Sequence, residues 1–375
     1  MTATSGTRPT WFQRFVLPGL AFKAVVIGGG YATGRELAEY FLPAGPWGGL
    51  AAMGLGMAIW SGICALTFEF ARVAGAGDYR SFFRALLGPL WPLFEVTYLV
   101  FVVLILAVFG AAAGAIANAV LGAPPILGTL CLMIAIAGVA TFGNASVERL
   151  FKYVSLILYV VYAIFLVLAL TRFGDRIAAA FAPVGEPLPW VAGGLTYAAY
   201  NIVGAVVILP VTRHLTNRRD ALVAGLIAGP LAMLPAILFF LAMCAFMPGI
   251  ASEVLPSDFL LVRLGSPLFH LIFQVMIFAA LLESGTGAVH AINERLAGVW
   301  RTRRGSELGG GPRLCFALVM LSICMLLADR IGLVALIAQG YRAISYVLLA
   351  VYVLPLLTIG LWKLVRRSRL APEVE

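Results

Sequence analysis

A chain of 375 residues, 62% hydrophobic and only 11% charged, cannot clothe itself in polar surface, because a soluble domain carries about 25% charged residues. With a mean hydropathy of +1.00 its solvent is lipid, and each spanning backbone must satisfy its own hydrogen bonds as a helix or a closed barrel. The net charge of +9 falls between apolar runs and forms no basic stripe with interleaved aromatics, which argues against a nucleic-acid partner and for charges that orient the chain in a bilayer.

The apolar runs are about 20 residues long and do not alternate, so helices are expected rather than strands. In chain order the predicted spans are 15–41, 47–73, 91–121, 125–142 and 150–171, then 190–213, 219–247, 266–299, 312–329 and 331–363. The polar segment from Met1 to Phe15 lacks a short apolar stretch ahead of a small-residue cleavage site, so the first span is expected to be retained. With the N-terminus placed inside, nineteen of the 26 basic residues fall on the cytoplasmic side and only Arg172, Arg176, Arg263 and Arg330 outside. Lys23, Arg35 and Arg342 lie within spans. This bias predicts a multi-pass protein of the plasma membrane with both termini cytoplasmic.

The fold class expected is all-α and polytopic, with about ten transmembrane helices in two five-helix repeats, residues 1–176 and 187–375. Five is odd, so the second repeat enters from the opposite face and runs inverted. The first member of each repeat is interrupted. Span one carries Gly28, Gly29 and Gly30 in a row, and span six carries Tyr200, Asn201 and Gly204 midway through an apolar run. Paired interruptions at corresponding positions of two halves point to a transporter binding site. Unwinding at the glycines frees amides near Tyr31 and Thr33 that suit an anion such as a carboxylate. Helix packing is the plainer account of Gly54/Ala58/Gly62, Gly110/Gly114 and Gly225/Gly229.

The stretch from Val26 to Leu37, VIGGGYATGREL, resembles the opening helix of YkvI-type membrane proteins. These are grouped with amino-acid permeases in the amino acid–polyamine–organocation superfamily. Tyr197 to Gly204 and the run Glu283-Ser284-Gly285-Thr286-Gly287 are similar to that family's sixth and eighth helices. The resemblance implies a LeuT-type inverted-repeat fold with its site between helices one, three, six and eight.

Charged groups inside spans are functional candidates by default. Glu283, Gly287, His290 and Glu294 share one helical face in span eight, and a carboxylate above a histidine suggests a proton path. In related LeuT-type proteins the region of Lys23 faces span eight, where a sodium site sits. Ser284 and Thr286 offer hydroxyls to such an ion, or the Lys23 ammonium takes the ion's place beside Glu283 or Glu69, or it simply snorkels. Arg35 and Glu39 are four apart and read as a local ion pair, which leaves Glu36 and Arg342 as an expected outer gate, by analogy with related transporters. The five cysteines lie in apolar runs without CxxC spacing, so neither a metal site nor a cofactor is expected. No nucleotide-binding loop, HExxH or Ser–His pair points to an ATPase or enzyme. The function expected is secondary transport of a small solute, an amino acid or amine, driven by a proton or sodium. A receptor, sensor or channel-like protein on the same fold is the alternative.

Overall fold

A computed structural model of the protein describes residues 9–27, 29–142, 145–182, 189–304 and 309–370. Gly28 and the side chain of Glu294, both singled out above, lie outside the described residues.

The first span is three short helices, α1 (Leu17–Val26), α2 (Gly29–Ala32) and α3 (Arg35–Tyr40). Pro18 follows directly on the π-turns of Phe12–Val16, which widen the helix just ahead of a ring that has no N–H to donate. The helix stops at Ile27, whose ψ of 69° is non-helical. A second break falls at Gly34, with φ 78°, a left-handed conformation that disfavours any β-carbon. The expectation of three non-helical glycines is thereby corrected, for Gly29 and Gly30 open α2. A helix is interrupted by very few residues leaving the helical region, and the chain resumes its hydrogen bonding as soon as it can.

After α4 (Gly45–Ala74), the amphipathic α5 (Tyr79–Leu87) starts on a reciprocal capping box between Asp78 and Ser81. Then follow α6 (Trp91–Leu121), α7 (Pro125–Phe142) and α8 (Ala145–Arg172), which turns by 69° into α9 (Gly174–Phe181). The sixth span is α10 (Val191–Asn201) and α11 (Val203–Val207), followed by a tight turn over Leu209–His214. The expected interruption is slight, for Tyr200, Asn201 and Gly204 are helical and Ile202, the one residue between, keeps φ −63° and ψ −18°. Next come α12 (Arg218–Cys244), α13 (Pro256–Leu264), α14 (Pro267–Arg304) and α15 (Gly310–Ile331). The last span runs from α16 (Leu333–Ala335) through α17 (Arg342–Leu348) to α18 (Leu361–Leu370), widened between them by π-turns. Each of the ten expected spans overlaps helix. Among the described residues six helical runs are long and apolar enough to cross a membrane alone, and the bent pair α8–α9 makes a seventh. The remaining spans are the broken or short ones.

Small residues let the helices close. The most extensive packing is between α4 and α12, where Gly225 lies against the Ala65 backbone and Gly229 against Met57 and Ser61. Gly110 and Gly114 likewise face Met133, Thr129 and Pro125. Gly54 and Gly62 do not fit this reading, because a β-carbon on either would meet nothing within 4 Å. Gly62 instead lines a cavity that Leu195 and Val353 also border.

Candidate functional site

The breaks in spans one and six come together. A β-carbon on Gly204 would lie 3.1 Å from Phe22 and 3.2 Å from Val25, so α11 leans on α1. Short α2 lies against α6 and α14, which puts the first break between the third and eighth spans. Tyr31 on α2 is 1% exposed, and its ring is 6.1 Å from that of Tyr162 on α8. The hydroxyls of Tyr31 and Tyr162 interact with each other without meeting full hydrogen-bond geometry, and neither they nor the buried hydroxyl of Tyr197 on α10 have another partner among the described residues. Buried polar groups normally find partners. Three phenols whose hydroxyls lack a well-formed partner among the described residues stand near the two helix breaks.

Other expected wall residues are committed to the scaffold. Thr33 is fully buried, and its carbonyl, freed by the turn at Gly34, accepts the Ser257 N–H at 3.0 Å. Asn201 donates its amide back to the Tyr197 carbonyl at 3.1 Å. Tyr200 points outward from the break, donating to Glu36 Oε2 at 2.6 Å.

That bond corrects the expected gate. Arg342 does not reach Glu36; its Nη2 lies 3.8 Å from Glu39 Oε1. Glu39 also accepts from Arg35 Nη2 at 2.9 Å, as their spacing suggested. Arg35 Nη1 donates to the carbonyls of Ala251 and Glu253, each at 2.8 Å. Helical geometry explains the exchange: residues 35 and 39 share a face, whereas Glu36 is turned about 100° away, into the protein. Beneath this charged layer the Tyr40 hydroxyl donates to the Ile337 carbonyl at 2.6 Å. The rings of Tyr40, Tyr197 and Tyr341 lie 5.9, 5.7 and 4.5 Å from that of Tyr200. This half of the bundle is shut by aromatic packing.

At the other end of span one the half-buried Lys23 holds its Nζ 4.6 Å over the Tyr159 ring. Tyr159 in turn lies within the electrostatic reach of Glu283. Of the two carboxylates expected near Lys23, Glu69 is committed to Arg72, by bonds of 2.8 and 2.9 Å. The face of α14 opens progressively, from half-buried Glu283 and Ser284 to exposed Gly287 and His290. The Thr286 hydroxyl is buried without a partner. Further out, Arg14 grips Asp220 at the start of α12 through Nε at 2.9 Å and Nη2 at 2.5 Å, tying the segment before α1 to the second half of the chain.

The sequence reading missed Tyr162, whose ring neighbours that of Tyr31, and also Tyr159 and Trp60. The indole N–H of Trp60 donates to the Ala198 carbonyl at 3.1 Å. Nothing distinguishes these aromatics from lipid-facing ones in an apolar run, since the signal lies in which face they occupy.

Comparison with protein-family models finds no match, and comparison with curated proteins finds none either. Solved structures do match over nearly the whole chain. A manganese transporter of Eremococcus coleocola, in complex with an aromatic bis-isothiourea substituted compound, superposes with a TM-score of 0.60 at 15% identity, covering 94% of this chain and 81% of that one. MhsT in complex with L-phenylalanine gives 0.56 at 19% identity, over 95% and 88%. A Na+-coupled sialic acid symporter in a substrate-bound outward-open state gives 0.58 at 13% identity, over 94% and 81%. The fold is LeuT-type. The chain is accordingly a multi-pass membrane protein of that architecture.

Proposed function

We propose that this protein is a secondary transporter of a small organic solute, an amino acid or amine, working by alternating access with ion coupling, the proton favoured. The observation that supports this reading is the break at Ile27 meeting the single-residue interruption at Ile202, near the buried hydroxyls of Tyr31, Tyr162 and Tyr197, which lack a well-formed partner among the described residues. Backbone off the helical path at membrane depth is tolerated where it lines a polar cavity or lies buried in protein. Because α2 has only four residues, its dipole is small, so the phenols and freed backbone groups near Ile27 carry solute recognition more than a helix terminus does.

Residues 1–176 and 187–375 are read as the inverted repeats, in the plasma membrane with both termini cytoplasmic, and the likeness of Val26 to Leu37 to YkvI-type permeases favours an amino acid or amine. Lys23 supports the proton. A fixed ammonium near the expected sodium position repels a second cation strongly in a low dielectric. The testing experiment is a thermal-shift screen of purified protein against amino acids and amines, where a ligand stabilises by RT ln(1 + [L]/Kd). Hits then go to uptake in liposomes. Stabilisation by no member of either class, with no uptake under any imposed gradient, would sink the proposal.

A further inference from the structure

Glu36 is a carboxyl group in an unusual position. It is 5% exposed, it sits on the short helix that closes one side of the bundle, and its single partner among the described residues is a neutral phenol. The cations near it are engaged elsewhere. Arg35 on its own helix is held by Glu39 and two carbonyls, and Arg342 on α17 reaches only Glu39. Isolated buried carboxylates cost several kcal/mol and are neutralised, by a proton or by a cationic partner.

The surroundings decide between those two. Tyr200 on α10 holds the carboxyl. Tyr197 on α10, Tyr341 in the π-turn before α17 and Tyr40 on the carboxyl's own helix pack around the Tyr200 ring, and Tyr31 on α2 lies within the carboxyl's electrostatic reach. Along α3 the remaining charged groups are Arg35 and Glu39, already paired. The neighbouring half of α12 offers only the Cys244 thiol, and the short turns Leu42–Ala44 and Gly249–Ser252 offer nothing that titrates. Phenols and thiols stay neutral at ordinary pH. The five tyrosine rings are each at most 5% exposed, so the carboxyl is cut off from solvent, and an ammonium or hydrated ion beside it would need room. A proton needs none.

We infer that Glu36 is a proton-binding site whose occupancy permits this half of the bundle to close. The inference rests on the alternating-access reading. In the open state the carboxyl meets water and ionises. On closure a proton from solution binds Oε1, the oxygen to which Tyr200 does not donate, and the neutral acid is enclosed. The closed state thus holds one more proton than the open one, so lower pH favours closure and higher pH favours opening.

The test needs no solute. In purified protein whose five native cysteines are replaced, Ile337→Cys reports on the contact beneath Tyr40, and Leu121→Cys, at a site 77% exposed, serves as reference. Labelling by a water-soluble maleimide is read as the ratio of the two rates in sodium-free buffer, mildly acidic and mildly alkaline. Taking the ratio cancels the thiol's own pH dependence. The expected ratio is about tenfold higher in alkaline buffer, the change that corresponds to a tenfold difference in proton affinity between the states. Glu36→Gln should hold it low at both pH values, and Glu95→Gln, in a rim pair with Arg80, should follow the parent. A ratio that ignores pH in the parent protein overturns the inference, even if Glu36→Gln fails to fold. So does a pH profile that survives Glu36→Gln, or closure driven by added sodium at constant pH. Failure of transport alone would show as absent uptake with the labelling profile intact.

Discussion

Tyr31, Tyr162 and Tyr197 each bury a hydroxyl that lacks a well-formed partner among the described residues. Removing an unsatisfied polar atom is neutral or stabilising, whereas removing a group that meets a ligand weakens binding. Phenylalanine at any of the three should therefore leave the melting temperature unchanged or raised, while reducing solute stabilisation or uptake several-fold. Equal loss of both would make these tyrosines scaffold. The arginines of the outer layer separate by burial. Arg35→Ala should cost about 3 kcal/mol, because the side chain is buried and holds two carbonyls and a carboxylate. Arg342→Ala should cost less than about 1 kcal/mol, its side chain being 54% exposed. Denaturation of the two variants checks the ranking. The Arg35–Glu39 bond was legible because four residues is a helical repeat. The Glu36–Tyr200 bond spans 164 positions, and no local pattern encodes it.

At the scale of helices, the apolar runs gave the spans, because twenty residues of lipid-facing chain leave a plain compositional mark. The interruptions of spans one and six were legible for the same reason. Which glycine breaks the helix was not. Gly34 was read as part of a helix, yet it alone in the first span among the described residues adopts positive φ, and a β-carbon there would meet Phe239 at 2.8 Å. Gly34→Ala should cost at least about 1–2 kcal/mol from the left-handed backbone, with the clash in addition, measured as a fall in melting temperature. An unchanged melting point would mean that α2 and α3 fuse without penalty. The short connectors α5, α9 and α13 escaped prediction because their amphipathic faces are fixed by the bundle they cap.

For the whole molecule, the cluster of Lys23, Tyr159 and Glu283 faces the end of span one away from Glu36. Uptake driven by an imposed proton gradient in sodium-free buffer should proceed, and Lys23→Ala should damage it. Uptake that requires sodium would move the coupling site to Ser284, Thr286 and the backbone around Ile27. Two ties stand at opposite ends of the bundle, Arg14 with Asp220 and Arg35 with Glu39 and Arg342, and alternating access implies that they loosen in turn. Trp60 lies between them. Its indole is fully buried, 5.6 Å from Phe22 on α1 and 5.4 Å from Tyr197 on α10, so it touches both broken spans. The chain's most exposed tryptophans, Trp11, Trp47 and Trp362, contribute a steady background of light. Trp60 thus gives the protein an optical gauge of its own: as the half-helices part and water reaches the indole, its emission should redden, so the transport cycle can be followed by colour without attaching a dye.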